Sequence, residues 1–196
     1  MNKKLNIAIA TLFLATASIA ATEEDSKYYV GIGGTTDSGG KFSGEVSGVD
    51  SGTISYDSKT KSKIAKLGMF LENGDRVELS YQSGEFTLDQ VPPTKDSKTI
   101  KINYKMFFEE PKVGSFTPYG VVGIGKHELN TSTSTTLKGK QWGAGVGGVY
   151  GIDNDLELEI SAQRIEINYD AIYGDGITVD YSNTSNELYL GVNYKL

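Results

Sequence analysis

One histidine and no cysteine stand among the 196 residues, so nucleophilic and metal chemistry have little to work with. His127 lies in "GKHEL", with Glu128 next to it and Ser132 and Ser134 shortly after. A histidine held beside a serine or an acid could act as a general base in hydrolysis. The spacing opposes that. Adjacent residues of a strand point to opposite faces, which turns Glu128 away from His127, and both serines fall in the next connection. "DND" at 153–155 and "YDAIYGDG" at 169–176 are acidic. Asp, Asn and Gly in such runs are turn formers first, and weak Ca²⁺ contact is the most they offer. The chain is read as no enzyme, with no catalytic or metal-ligating residue and no cofactor.

The remaining reactive groups are charges, and their spacing says more. In "TIKINYKMFF", Lys101 and Lys105 alternate with Ile100, Ile102, Tyr104 and Met106. Glu78 alternates with Val77 and Leu79, and Glu157 and Glu159 with Leu156, Leu158 and Ile160. Lys66 alternates with Ala65 and Leu67, and Glu187 and Lys195 flank the alternation of "NELYLGVNYKL". Every second residue on one face is the mark of a β-strand with one apolar side. The two signs are balanced. Lys66, Glu78, Lys101, Lys105, Glu159 and Glu187 are the expected interior charge network. Glu72, Arg76, Glu157 and Lys195 share its face near turns or the terminus, where water can reach them.

Holding these faces takes strands, and eight segments alternate with period two: 27–35, 63–72, 76–86, 99–108, 116–127, 140–152, 156–169 and 186–196. No stretch after the N-terminus carries an apolar stripe at helical spacing. Short links such as "NGD" at 73–75, a tight hairpin signal, alternate with long polar ones at 36–62, 87–98, 128–139 and 170–185. Before the first strand, "MNKKLNIAIATLFLATASIA" has two lysines, an apolar run and small residues. That is the layout of a cleaved signal peptide at 1–21, leaving 22–196 as one β-barrel domain. The apolar run is too short to span a bilayer, which takes about 20 residues. With no cysteine and a formal charge of −6, a disulfide scaffold and a nucleic-acid partner are both excluded.

The fold expected is all-β, an eight-stranded antiparallel up-and-down transmembrane β-barrel. Sorting of short and long links to opposite ends is the habit of such barrels. The register follows from cost. A lysine facing lipid near the midplane costs about 2–4 kcal/mol, so the charged faces must point inward and the apolar faces outward. A soluble lipocalin-like carrier in the periplasm would reverse that assignment, and a narrow small-solute pore is a further alternative. In "FTPYGVVGIGKH" both faces are small or apolar, and its register stays open. Gly143, Gly145 and Gly147 share one face, expected inward, where they leave room for long neighbours or ease curvature. Tyr28, Phe108, Tyr150 and Tyr194 near the short-turn end, and Trp142 nearer the other, are expected in aromatic girdles.

"TPYGVVGIGKHE" and "WGAGVGGVYGIDNDLELEISAQ" resemble the small outer-membrane β-barrel proteins of the OmpA-like, OmpX-like and opacity type, and the likeness covers about 23–196. The resemblance implies a place in the cell outer membrane, among its lipids. It also implies an assembly signal read by the barrel-insertion machinery, here Leu188, Leu190, Val192, Tyr194 and Leu196. The family usually ends on Phe or Trp, and Leu196 departs from that. Some relatives modify lipid A or cleave proteins, which would need the histidine pairing that His127 lacks. The role the resemblance implies is structural or adhesin-like, with long external loops meeting host or partner surfaces.

Overall fold

The computed structural model describes residues 27–48, 51–89, 91–130, 136–174 and 177–196. The segment read as a signal peptide lies outside them. Among the described residues the chain forms nine antiparallel strands: β1 (Tyr28–Ser47), β2 (Gly52–Phe70), β3 (Arg76–Leu88), β4 (Val91–Phe107), β5 (Phe116–Asn130), β6 (Thr136–Gly151), β7 (Leu156–Tyr169), β8 (Ile172–Gly174) and β9 (Ile177–Lys195). Each pairs with the next up to β7, which pairs with β9. β9 returns to β1, from Tyr29 against Lys195 to Ser47 against Thr178. Closure pairs both edges of the eight long strands, as hydrocarbon requires. The ring has eight long strands. The three-residue β8 pairs only with β9 and lies outside it.

Local chemistry sets the turns. Gly74 adopts φ +84° in the β2–β3 link, and Asp153 accepts the Asp155 and Leu156 N–H groups at 2.9 and 2.7 Å in the β6–β7 link. The long links, in contrast, are mostly strand. β1 runs to Ser47 and β2 starts at Gly52, where a loop over 36–62 was expected. β3 reaches Leu88 and β4 begins at Val91, so 87–98 is almost all ladder. Polar residues face water there, which dilutes the alternation that marks a strand in sequence. The neighbouring backbone still templates the pairing.

β1 contains a shift of facing that pattern reading cannot supply. Its register slips between Thr36 and Gly40, with Gly39 at φ +63°. A bulge with a glycine in the left-handed region inserts one residue and inverts the facing of the rest of the strand. Odd-numbered Tyr29 and Thr35 are buried before it, and even-numbered Gly40 and Phe42 after it. β5 has its register settled as well: Tyr119, Val121, His127 and Leu129 are buried, while Val122 and Ile124 are exposed.

Two zones result. Over the short-turn half, the outer wall is an apolar belt that includes Ile32, Ile100, Ile124, Val146, Ile160 and Leu190, all exposed. Over the other half, Phe42, Phe86, Leu88, Leu129, Leu137, Ile165, Ile167 and Tyr169 pack into a buried core inside the ring.

Candidate functional site

The functional question is what fills the lumen. At the short-turn end, Arg76 on β3 meets Glu157 on β7 in a two-point contact, Nη1–Oε2 at 2.6 Å and Nη2–Oε1 at 2.9 Å. Such planar pairing is the strong form of a charge-assisted bond. Aromatic rings enclose the guanidinium, with Phe107 at 4.5 Å, Phe70 at 4.6 Å and Tyr29 at 5.3 Å. Lys195 adds a longer contact to Glu157 at 3.2 Å. Arg76 and Glu157 are each only 1% exposed, so the expectation that water reaches them is corrected: these rings seal that end. Glu72 does lie exposed in the turn. In the same turn Asp75 accepts from the Tyr104 hydroxyl and from the Phe107 N–H. The Tyr104 hydroxyl above all holds its carboxyl below the usual range.

One layer up, four charges form a closed ring. Lys66 contacts Glu159 at 2.6 Å and Glu78 at 3.2 Å; Lys105 contacts Glu78 at 2.7 Å and Glu159 at 2.6 Å. These groups come from β2, β3, β4 and β7, so the ring ties distant strands across the lumen. Buried ions persist when their remaining lone pairs and protons are also bonded, and both carboxylates gain such bonds here. Tyr119 and Asn193 donate to Glu159 at 2.5 and 2.8 Å. Tyr29 and Asn103 donate to Glu78 at 3.0 and 3.1 Å. Lys66 also sits 4.2 Å from the Tyr189 ring centroid. Above this, Lys101 bonds Glu187 at 3.0 Å, and Gln82 donates to the same carboxylate at 3.0 Å.

The three inward glycines of β6 have different neighbours, and Gly143 faces the Ile165 side chain. A Cβ on Gly147 would lie 2.5 Å from Tyr119, so that glycine clears the space through which Tyr119 reaches Glu159. Gly145 instead lies against the β7 backbone. The polar contributors Tyr29, Tyr119, Asn103 and Asn193 were not singled out from sequence. Tyr29, Asn103 and Asn193 sit on the charged face of their own strands, a signal the sequence carried; Tyr119 sits on the face of β5 opposite Lys126 and Glu128, in a strand whose register was open.

Two cavities among these groups hold about 20 Å³ each, room for roughly one water. His127 stands higher, its Nδ1 2.8 Å from the Thr99 hydroxyl and its ring edge-on to Tyr169. Among the described residues Nε2 has no hydrogen-bond partner and no serine or carboxylate bonds this imidazole; Ser132 and Ser134 lie outside the described residues. Among the described residues no group of three acidic, histidine or cysteine side chains converges on a metal position.

On the outside, Tyr28, Phe108, Tyr150 and Tyr194 lie exposed around the short-turn end, with Trp142 at the opposite border of the belt. Leu188, Leu190 and Tyr194 are exposed on the outer face of β9, and Val192 is half-buried. Leu196 follows the strand, its N–H donating to the Tyr28 carbonyl at 3.0 Å.

Comparison with known proteins agrees with this architecture. The family model for the outer membrane protein beta-barrel domain matches residues 7–195. Among solved structures, Neisserial surface protein A is similar at TM-score 0.57 and 14% identity, covering 86% of this chain and 97% of its own. OprG from Pseudomonas aeruginosa is similar at TM-score 0.59 and 10% identity, covering 87% and 96%. AlkL, solved in lipid bilayers, is similar at TM-score 0.54 and 13% identity, covering 88% and 92%. At such identities the likeness is one of fold. No curated protein sequence matches.

Proposed function

We propose, from the premise that this chain belongs to the outer membrane protein beta-barrel domain family, that it is a closed membrane anchor presenting a β-structured rim for surface contact. The outer membrane is its location, and the finer role is our reading. The observation that carries it is the ring of Lys66, Glu78, Lys105 and Glu159 across the lumen, above the Arg76–Glu157 pair. Ion pairs this well bonded do not part for a passing solute without leaving charges buried and unpaired, at about 3–5 kcal/mol for each broken pair. A small-solute pore would need that lumen open. The reading also takes residues 1–21 as an export signal and the outer face of β9, from Leu188 to Leu196, as the feature that assembly machinery recognises.

Planar-bilayer recording on the refolded protein tests the closed lumen. The expected trace has no stable conductance step; a large, long-lived step overturns the reading. The rim is tested by removing residues 43–55, which leaves the paired Phe42 and Tyr56 to be joined by a short turn. Cells carrying the shortened barrel should adhere less to host or partner surfaces than cells carrying the full one. Equal adhesion would leave an anchor with no contact role.

A further inference from the structure

At the upper border of the apolar belt, the outer wall across β4, β5 and β6 is concave. It forms a groove of about 870 Å³, within the size range of ligand sites. Its floor is apolar, with Ile100, Ile102, Ile124 and Trp142 all exposed in it. Its upper edge is basic, lined by Lys98, Lys126 and Lys140.

The register makes that edge unusual. Ile100, Lys126 and Lys140 stand in one row across the three strands. Lys126 and Lys140 are therefore direct cross-strand neighbours on the same outer face, where like charges repel. Neither ammonium pairs with a carboxylate among the described residues. One row up, Glu128 lies between Lys98 and Lys138; one row down, Glu166 lies opposite Trp142. Asp170 lies beyond Lys138, its N–H on the Lys138 carbonyl; four lysines thus face three carboxylates, none of which stands in the row of Lys126 and Lys140.

An anion between those two ammoniums would turn repulsion into attraction. The position of the pair selects the kind of anion. The floor beneath it is continuous with the belt that meets hydrocarbon. The edge belongs to the long-hairpin end, which faces outward in outer-membrane barrels. Lysine stems lie along apolar wall and hold their charges at headgroup height. We propose that this groove binds a phosphorylated glycolipid of the external leaflet. Its acyl chains lie on Ile100, Ile102, Ile124 and Trp142, and a phosphate sits between Lys126 and Lys140. Neighbouring strands are about 4.8 Å apart, so both ammoniums close on one phosphate. Lys98, diagonal to Lys126, is placed for a second phosphate on a broad sugar head, which a glycerophospholipid does not carry.

Trp142 is the only tryptophan in the chain and lies on the groove floor, so its emission reports occupancy. The probe is bisphosphorylated lipid A, titrated into the full-length protein in detergent micelles. The half-saturating concentration should rise roughly tenfold or more for lipid A stripped of its phosphates, as expected when charge-assisted contacts are lost. It should rise likewise for phosphatidylglycerol, and for Lys126→Gln/Lys140→Gln with intact lipid A. Lys61→Gln/Lys63→Gln, on the exposed face of β2 away from the groove, should bind as the parent does. All four lysines are exposed, and heat-modifiable gel mobility checks that each barrel is closed. Equal affinity for phosphorylated and stripped lipid A, or for the parent and the Lys126/Lys140 variant, overturns the proposal. Phosphatidylglycerol binding as tightly as lipid A overturns it too. A dimer cross-linked through Trp142-side residues that lipid A fails to displace would make a second copy the occupant, and also overturns it.

Discussion

The two halves of this barrel are built inside out relative to each other, on the same strands. In the half that includes Ile160 and Leu190, apolar side chains cover the outside and charges fill the inside. In the half that includes Phe86 and Leu129, the inside is an apolar core, while outward Thr53, Lys59, Glu85 and Lys138 are exposed. β7 and its partners β6 and β9 cross the boundary in unbroken register, whereas β1 crosses it through the Gly39 bulge. β7 shows it along one face, where Glu157, Glu159, Ser161, Gln163, Ile165, Ile167 and Tyr169 are buried in succession. Period-two alternation says that a strand has two unlike faces. The surrounding solvent decides which face is hidden. Where that solvent changes from lipid to water along one strand, the residue types exchange sides and the geometry does not.

The interior of the lipid half offers the largest break in this contrast. Glu159 accepts from Lys66, Lys105, Tyr119 and Asn193. Glu159→Ala leaves two buried ammoniums sharing the single carboxylate of Glu78, and unfolding in urea, followed by gel mobility in lipid vesicles, should show a loss of about 5 kcal/mol, the top of the range for a broken buried pair. Retention of wild-type stability would mean the ring contributes nothing. In the water half the interior is held chiefly by packing, with the buried Ser58–Asn183 hydrogen bond beside it. Phe86, 1% exposed and edge-on to Phe42 at 5.9 Å, should cost about 3–4 kcal/mol when cut to alanine. Hydrogen exchange should place the damage in the rim, with the charged ring still protected. The outer faces give the smallest effect and the sharpest contrast. Ile160→Lys, in the belt, should cost about 2–4 kcal/mol in vesicles. Thr53→Lys, on the exposed rim beside Glu45, should stay within about 0.5 kcal/mol. Similar costs at both positions would mean that the boundary between lipid and water is misplaced.

Much of the lipid half was legible in the residue pattern. Lys101 and Lys105 cannot both face hydrocarbon, so β4 had one permitted register, and β3, β7 and β9 followed the same logic. Lys66, Glu78, Lys101, Lys105, Glu159 and Glu187 were chosen from alternation, and the fold brings all six into the lumen as close pairs. The rim was far less legible. Phe42, Phe86 and Leu129 are isolated apolar residues among polar ones, and isolated residues carry no periodic signal. β5 was illegible for the opposite reason. Both its faces are small or apolar, so no position carried a cost that would orient it until Tyr119 met Glu159.

By itself the sequence determined an all-β chain whose strands carry one charged and one apolar face, with tight turns such as 73–75 and 153–155 between some of them. Those properties are local: they follow from side-chain types at every second position and from turn residues at fixed offsets. Only the tertiary structure decided which cation meets which anion, that the Gly39 bulge turns Phe42 inward, and that Lys126 and Lys140 stand side by side above an apolar groove. Those depend on the stagger between strands distant in sequence. Stagger is set by closing the ring, a condition that no single strand can express.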